Sequence, residues 1–383
     1  MLNEIIFYCF SISSFLFNIL FLIICNKFGD IFLGYLKILV YTNLFLCSFG
    51  SLQFYIYAKK NFIYFRLENK FLTLLSILFF FSFIYYLYKD LILSVVFLTT
   101  SISSLIVHLE ICSQIFLNKL YKNSIYIFFI SLIKFLIILF SFSNNLNFIY
   151  SIIFINILII ILSLSFVKKI KISANKKKSF NILSVINNIF GTATTTLDKV
   201  YVIHILPTLS VTYYLVVKIA SIYQFLTELV YRKERFEITS GKYIKNKKVL
   251  FFKFVYLFIV IVIFNMTAKI FFNLSHNYIN LQNYINLFLI YDLLEVIRKN
   301  IDAISIIFCG FLINALSGIS YDQIYKKYLY KELLNINIIR TLIFLVLLYF
   351  FGLNIFYISL IFFFSQIIEL LLIILKRKRL NAK

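Results

Sequence analysis

Apolar residues run through this chain in long blocks, separated by short clusters of Lys, Arg, Asn and Ser. A helix needs about 20 apolar residues to cross a bilayer. Read with that length, the blocks predict about twelve spans. Their boundaries fall near 5–25, 31–58, 71–88, 91–117, 124–142, 148–167, 181–205, 209–230, 249–272, 300–320, 334–352 and 355–375. The connections alternate in character. Odd-numbered ones are short and poor in cations, as at Lys89-Asp90, at residues 143–147 (SNNLN) and from Gly352 to Asn354. Even-numbered ones are basic: Lys59, Lys60, Arg66 and Lys70; Lys119 and Lys122; KKIKISANKKK at 168–178; RKERFEITSGKYIKNKK at 232–248; Lys326, Lys327 and Lys331; and the tail KRKRLNAK at 376–383. Cations near span ends mark the cytoplasmic side, so both termini are expected there.

One stretch breaks the regularity. Residues 283–302 (NYINLFLIYDLLEVIRKNID) carry Asp292, Glu295, Arg298, Lys299 and Asp302, with two opposite-charge pairs at a spacing of four. The pattern predicts an interfacial helix leading into the tenth span. If instead 283–299 lies in the membrane, the span count changes by one. The basic segment at 168–178 separates six spans from six. The expected organisation is an all-α polytopic membrane protein with a first bundle at 1–170, a cytoplasmic linker at 171–180 and a second bundle at 181–383.

Composition agrees with this. Of 383 residues, 62% are hydrophobic, against about half in soluble domains. Formal net charge is +23, which in a soluble chain would point to nucleic acid. Here the cations sit in loops between spans, where orientation explains them and nucleic acid is not an expected partner. Cys9, Cys25, Cys47, Cys112 and Cys309 lie in or beside apolar runs without a CxxC pair, so neither a disulfide framework nor a zinc site is indicated. The N-terminus lacks a basic leader and reads as a retained span.

Residues 181–230 hold the most chemistry. Two apolar arms flank Pro207, the only proline in the sequence, and the pattern predicts a transmembrane hairpin that turns there. Ser184, Asn187, Gly191, Thr195 and Asp198 share one face of the first arm; Tyr214, Lys218, Ser221, Gln224 and Glu228 share one face of the second. Such stripes serve helix packing or line a hydrated path. Ionised side chains at mid-membrane each cost about 2.5–3.5 kcal/mol on insertion scales. Lys37, Lys253 and Lys269 lie near span ends and can snorkel. Lys134, Lys199, Lys218 and Arg340 lie deeper, and a shared wet cavity suited to a phosphate or pyrophosphate would shelter them. Asp198 either neutralises Lys199 or couples ion movement; Glu110, Glu228 and Glu369 are the other carboxylates within or near span ends.

Other chemistries lack their signatures. SGKY at 240–243 has no upstream P-loop glycine, and no GxGxxG, HExxH or GxSxG occurs. His108 and Glu110 point to different faces of a helix. No cofactor is expected.

The chain resembles the polysaccharide-exporting flippases of the multidrug/oligosaccharidyl-lipid/polysaccharide superfamily, of the O-antigen type. KFGDIFLGYLKI (27–38) is similar to the family's glycine-anchored first turn, and SFGSLQFYIYAKK (48–60) to the end of its second span. TLDKVYVIHILPTLSVTYYLVVKIA (196–220) is similar to the stretch running Asp-basic, Tyr-Tyr, Lys-Ile, and FGLNIFYISLIFFFSQIIELLLI (351–373) to the penultimate turn and final span. The chain departs at Thr212 and Asn354, where small residues are usual, and is short for the family.

The resemblance implies a V-shaped alternating-access transporter of the inner membrane that is not an enzyme. It would carry an undecaprenyl-pyrophosphate-linked oligosaccharide outward. Lys134, Lys199, Lys218 and Arg340 would then meet the pyrophosphate, Tyr213, Tyr214 and Tyr223 the sugars, and Asp198 and Glu369 the coupling ion. Membrane lipids, a glycan polymerase and chain-length machinery would be its partners. Two alternatives stay open. A membrane glycan polymerase would use the outer segment 273–299, and a multidrug exporter would call for a more acidic cavity.

Overall fold

A computed structural model describes residues 2–45, 54–59, 62–67, 78, 81–86, 89–116, 120–167, 170–172, 186–187, 190–191, 196–221, 247–278, 288–326 and 330–381. Tyr223, Glu228, most of the predicted span 71–88 and most of the basic segments at 168–178 and 232–248 lie outside these residues, as do the side chains of His108 and Glu110. The chain separates into two compact units, Met1–Val185 and Ile186–Lys383.

The first unit contains α1 (Leu2–Asn26), α2 (Asp30–Phe45), α3 (Leu91–Phe116), α4 (Leu120–Ser143) and α5 (Phe148–Val167). The turns are fixed by local chemistry. Gly29 takes a left-handed φ of 62° between α1 and α2, a conformation that suits a residue without Cβ. Asp90 Oδ1 accepts from the backbone N–H of Ile92 (2.7 Å) and Leu93 (3.2 Å), which caps α3. Asn147 Oδ1 does the same for Ile149 at 2.9 Å, ahead of α5.

Small polar residues join these helices. Ser14 and Asn18 of α1 both bond Ser131 of α4 at 2.8 Å. Asn156 of α5 accepts from Ser103 (3.0 Å) and donates to Thr100 (2.9 Å) on α3. The Tyr126 hydroxyl reaches Ser163 at 2.6 Å. Such bonds hold helices together where lipid removes any hydrophobic drive for association.

The predicted second span is too long. Helix α2 is described as far as Phe45, and Phe54–Lys59 is strand β1, paired antiparallel with β2 (Phe62–Leu67). Strand β3 (Ile170–Ile172) adds to β2 in parallel. Two aromatic-rich runs, each with one isoleucine, on either side of Lys60 and Asn61 favour paired strands over a helix. This small sheet is the departure from an otherwise helical architecture.

The second unit contains α6 (Leu197–Ile205), α7 (Pro207–Ser221), α8 (Lys247–Tyr278), α9 (Phe288–Lys326), α10 (Tyr330–Phe351) and α11 (Ile355–Asn381). Its core packs Val202, Tyr213 and Val216 with Ile307 and Phe308 of α9, Phe344 of α10 and Ile358 of α11. Gly310 lets α9 meet α11 closely, since a Cβ there would lie 2.7 Å from the Phe362 ring.

From Phe288 onward, the expected interfacial segment belongs to one helix with a kink. Asn300 has φ −124° and ψ 21° inside α9. Its side-chain amide donates to the Val296 carbonyl at 3.0 Å, competing with the helix's own ladder. The Glu295–Lys299 pair forms at 2.6 Å. The other expected pair does not: Asp302 binds Lys269 of α8. The apolar stretch suited to a span begins at Leu294 and runs to Ser317, earlier than the expected 300.

Among the described residues, five helices are long and apolar enough to cross a membrane, or up to six if the bent pair α6–α7 counts as one span. Shorter apolar helices accompany them at Leu91–Val107, Phe148–Ser163 and Phe252–Thr267. These features make the chain a helical, multi-pass membrane protein.

Candidate functional site

The expected hairpin turns where the sequence places it. Helix α6 ends at Leu206 (φ −126°, ψ 58°), Pro207 opens a short 3-10 turn, and the axis bends by 120° into α7. Proline suits this position because its missing N–H would have had no helical partner. The Ser210 hydroxyl donates to the carbonyls of Val202 (3.3 Å) and Leu206 (3.4 Å), satisfying groups the break exposes. The helix that leads into the break, α6, is nine residues long.

Folding back at Leu206 brings together residues about two turns to either side of the break. The buried Tyr213 hydroxyl donates to Asp198 Oδ2 at 2.6 Å. The Lys199 ammonium lies 3.4 Å from Asp198 Oδ1 and is mostly buried. Lys218 lies on α7 and is half-buried. Tyr214 is buried one turn before Lys218. The bend therefore sets Asp198 between Lys199 and Tyr213.

Arg340 sits elsewhere in this unit. Its guanidinium binds Glu369 of α11 and donates to the Gly191 carbonyl at 2.7 Å. Arg340 is 2% exposed. Neighbouring α10 side chains extend the layer. Asn337 donates to Asn187 Oδ1 at 2.9 Å and Thr341 to the Phe190 carbonyl at 3.3 Å. A Cβ on Gly191 would lie 3.4 Å from the Asn337 amide. Asn187 and Gly191, two members of the predicted polar face, are thus engaged in packing against α10. Arg340 and Glu369, expected to serve the head group and the coupling ion, are bound to each other; either role requires this pair to open.

Lys134 belongs to the first unit, half-buried on α4 one turn beyond Ser131. Among the described residues, no group of three or more His, Cys, Asp or Glu is arranged to hold a metal ion. Sequence reasoning missed Tyr213 as the partner of Asp198, although a fixed turn at Pro207 was enough to predict that pairing. It also missed the Asn337–Arg340–Thr341 stripe, visible as polar residues spaced by three and four in an apolar run. Comparison of the chain with protein-family models, curated proteins and solved structures gave no match.

Proposed function

We propose that this protein is a flippase for a lipid-linked, pyrophosphate-bearing oligosaccharide in the inner membrane. In this reading it has twelve spans in two six-helix bundles and works by alternating access. The observation that carries the reading is the mostly buried Lys199, 3.4 Å from Asp198 on the arm that leads into the break between α6 and α7, with Lys218 a second cation on the other arm. Discontinuous helices are where membrane transporters place their substrate sites. The two arms together carry Lys199, Lys218 and Asp198, an excess of positive charge that a pyrophosphate would neutralise through charge-assisted hydrogen bonds.

In this mechanism Asp198 holds Lys199 in place and keeps the empty site tolerable in the membrane. Arriving pyrophosphate competes with that carboxylate for the ammonium. Tyr213 fixes the second oxygen of Asp198, so the carboxylate cannot swing away with the lysine. Outward movement of an anion down an inside-negative potential is favourable by about 2.3 kcal/mol per charge per 100 mV. Asp198 and Glu369 are the carboxylates this reading assigns to ion coupling, and Lys134 is a further cationic position in the first unit.

The test is surface-glycan display in a strain that depends on this gene. Lys218→Ala and Lys199→Ala are each expected to abolish display with the protein still present in the membrane, while Lys218→Arg keeps part of it. Normal display in the Lys199→Ala/Lys218→Ala double variant would remove the site. Loss of glycan polymerisation with single repeat units still reaching the surface would favour a polymerase.

A further inference from the structure

A cavity of about 380 Å³ lies between α8, α9 and α11 of the second unit. That volume is within the roughly 300–1,000 Å³ of ligand pockets. Its walls are apolar, from Val262, Ile306, Leu360 and Phe363, and its polar features are concentrated toward Lys269. One turn before Lys269, the Asn265 side-chain oxygen is buried and accepts no hydrogen bond. In hydrocarbon an unsatisfied polar atom is costly. The side-chain oxygen and nitrogen of an amide are interchangeable by rotation, so this position can equally present a donor.

Beyond it, Lys269 pairs with Asp302 of α9, and both side chains are about half exposed, at 47% and 59%. Lys269 lies toward the C-terminal end of α8 and Leu360 close to the start of α11, so the cavity lies toward the side of the unit where α8 ends and α11 begins. From its depth outward it therefore offers an apolar slot, an amide, and an adjacent pair of one positive and one negative group.

We propose that this cavity is a binding site for a zwitterionic aminophospholipid. One acyl chain occupies the slot and the Asn265 amide meets the ester linkage. The phosphate lies on Lys269 and the ammonium on Asp302. An anionic lipid would satisfy Lys269 and be repelled by Asp302, so the paired charges select the dipolar head group. This assignment does not rest on the flippase reading.

The sequence contains no tryptophan, which makes a single introduced one a clean reporter. Met266, on the cavity rim and well exposed, is replaced as Met266→Trp. Tyr349→Trp on α10, 78% exposed, reports bulk lipid contact in a parallel protein. Each is reconstituted in phosphatidylcholine vesicles with increasing fractions of brominated phosphatidylethanolamine, phosphatidylcholine or phosphatidylglycerol, and fluorescence quenching is read. The expected result for Met266→Trp is saturable quenching by phosphatidylethanolamine at a several-fold lower mole fraction than by the other two. That preference disappears when Lys269→Ala or Asp302→Ala is added, and the Tyr349→Trp protein shows no preference among head groups. Equal, linear quenching of the Met266→Trp protein by all three lipids would overturn the site. Preferential quenching by phosphatidylglycerol would overturn the zwitterion assignment.

Discussion

Removing the carboxylate of Glu369 tests how the second unit is held together. The Arg340–Glu369 pair joins α10 to α11, with side chains 2% and 7% exposed. With Glu369→Ala, the guanidinium keeps the Gly191 carbonyl but loses its counter-charge in a place water does not reach. Breaking a buried pair in this way costs about 3–5 kcal/mol, whereas replacing both members with apolar residues is often neutral. The Gly191 carbonyl would lose its donor in the double variant, a cost of about 1–3 kcal/mol. Arg340→Met/Glu369→Leu should therefore be destabilised less than Glu369→Ala alone. The cycle closed with the single variants Arg340→Met and Glu369→Leu should give a favourable coupling of about 2–3 kcal/mol. Unfolding in mixed detergent micelles, followed by loss of helicity, provides the free energies. Additive effects, with the double variant the least stable, would refute the argument that the pair is buried and mutually compensating.

Two further predictions concern packing in the same unit. Tyr213→Phe conserves volume but removes the donor to Asp198. It should cost about 1–3 kcal/mol in the same unfolding measurement, and an unchanged stability would mean the carboxylate is satisfied without the phenol. Gly310→Ala places a Cβ against the Phe362 ring and should cost about 1–3 kcal/mol through overpacking. Adding Phe362→Leu should recover part of that loss, and a further loss would show that the ring is not the obstruction.

Long apolar runs with polar ends made the helices readable. The expected spans 91–117, 124–142, 148–167, 249–272, 334–352 and 355–375 coincide with α3, α4, α5, α8, α10 and α11 to within a few residues at most ends. The turns were readable as well, because Gly29, Asp90, Asn147 and Pro207 each act through local backbone chemistry. Hydropathy failed where composition is ambiguous. FYIYAK is apolar enough to read as the end of the second span, yet it pairs as a strand with FIYFRL in the connection that follows.

Hydropathy also could not show which partner a buried charge would choose. Arg340 and Glu369 are 29 positions apart, and Asp302 prefers Lys269 to Arg298. Such choices depend on how helices cross, which a one-dimensional pattern does not contain. Asp198 and Lys199 were the easier case, because adjacency in sequence and a fixed turn kept their options few.

The most direct measurement is flipping by the purified protein in sealed vesicles, using a lipid-linked pyrophosphoryl oligosaccharide and an impermeant glycan-modifying enzyme added outside. The account predicts protein-dependent exposure of the buried-leaflet pool. A potential that is negative on the starting side should speed exposure, and Lys199→Ala/Lys218→Ala should abolish it. Equal exposure with the wild-type protein, with the double variant and in protein-free vesicles would contradict it.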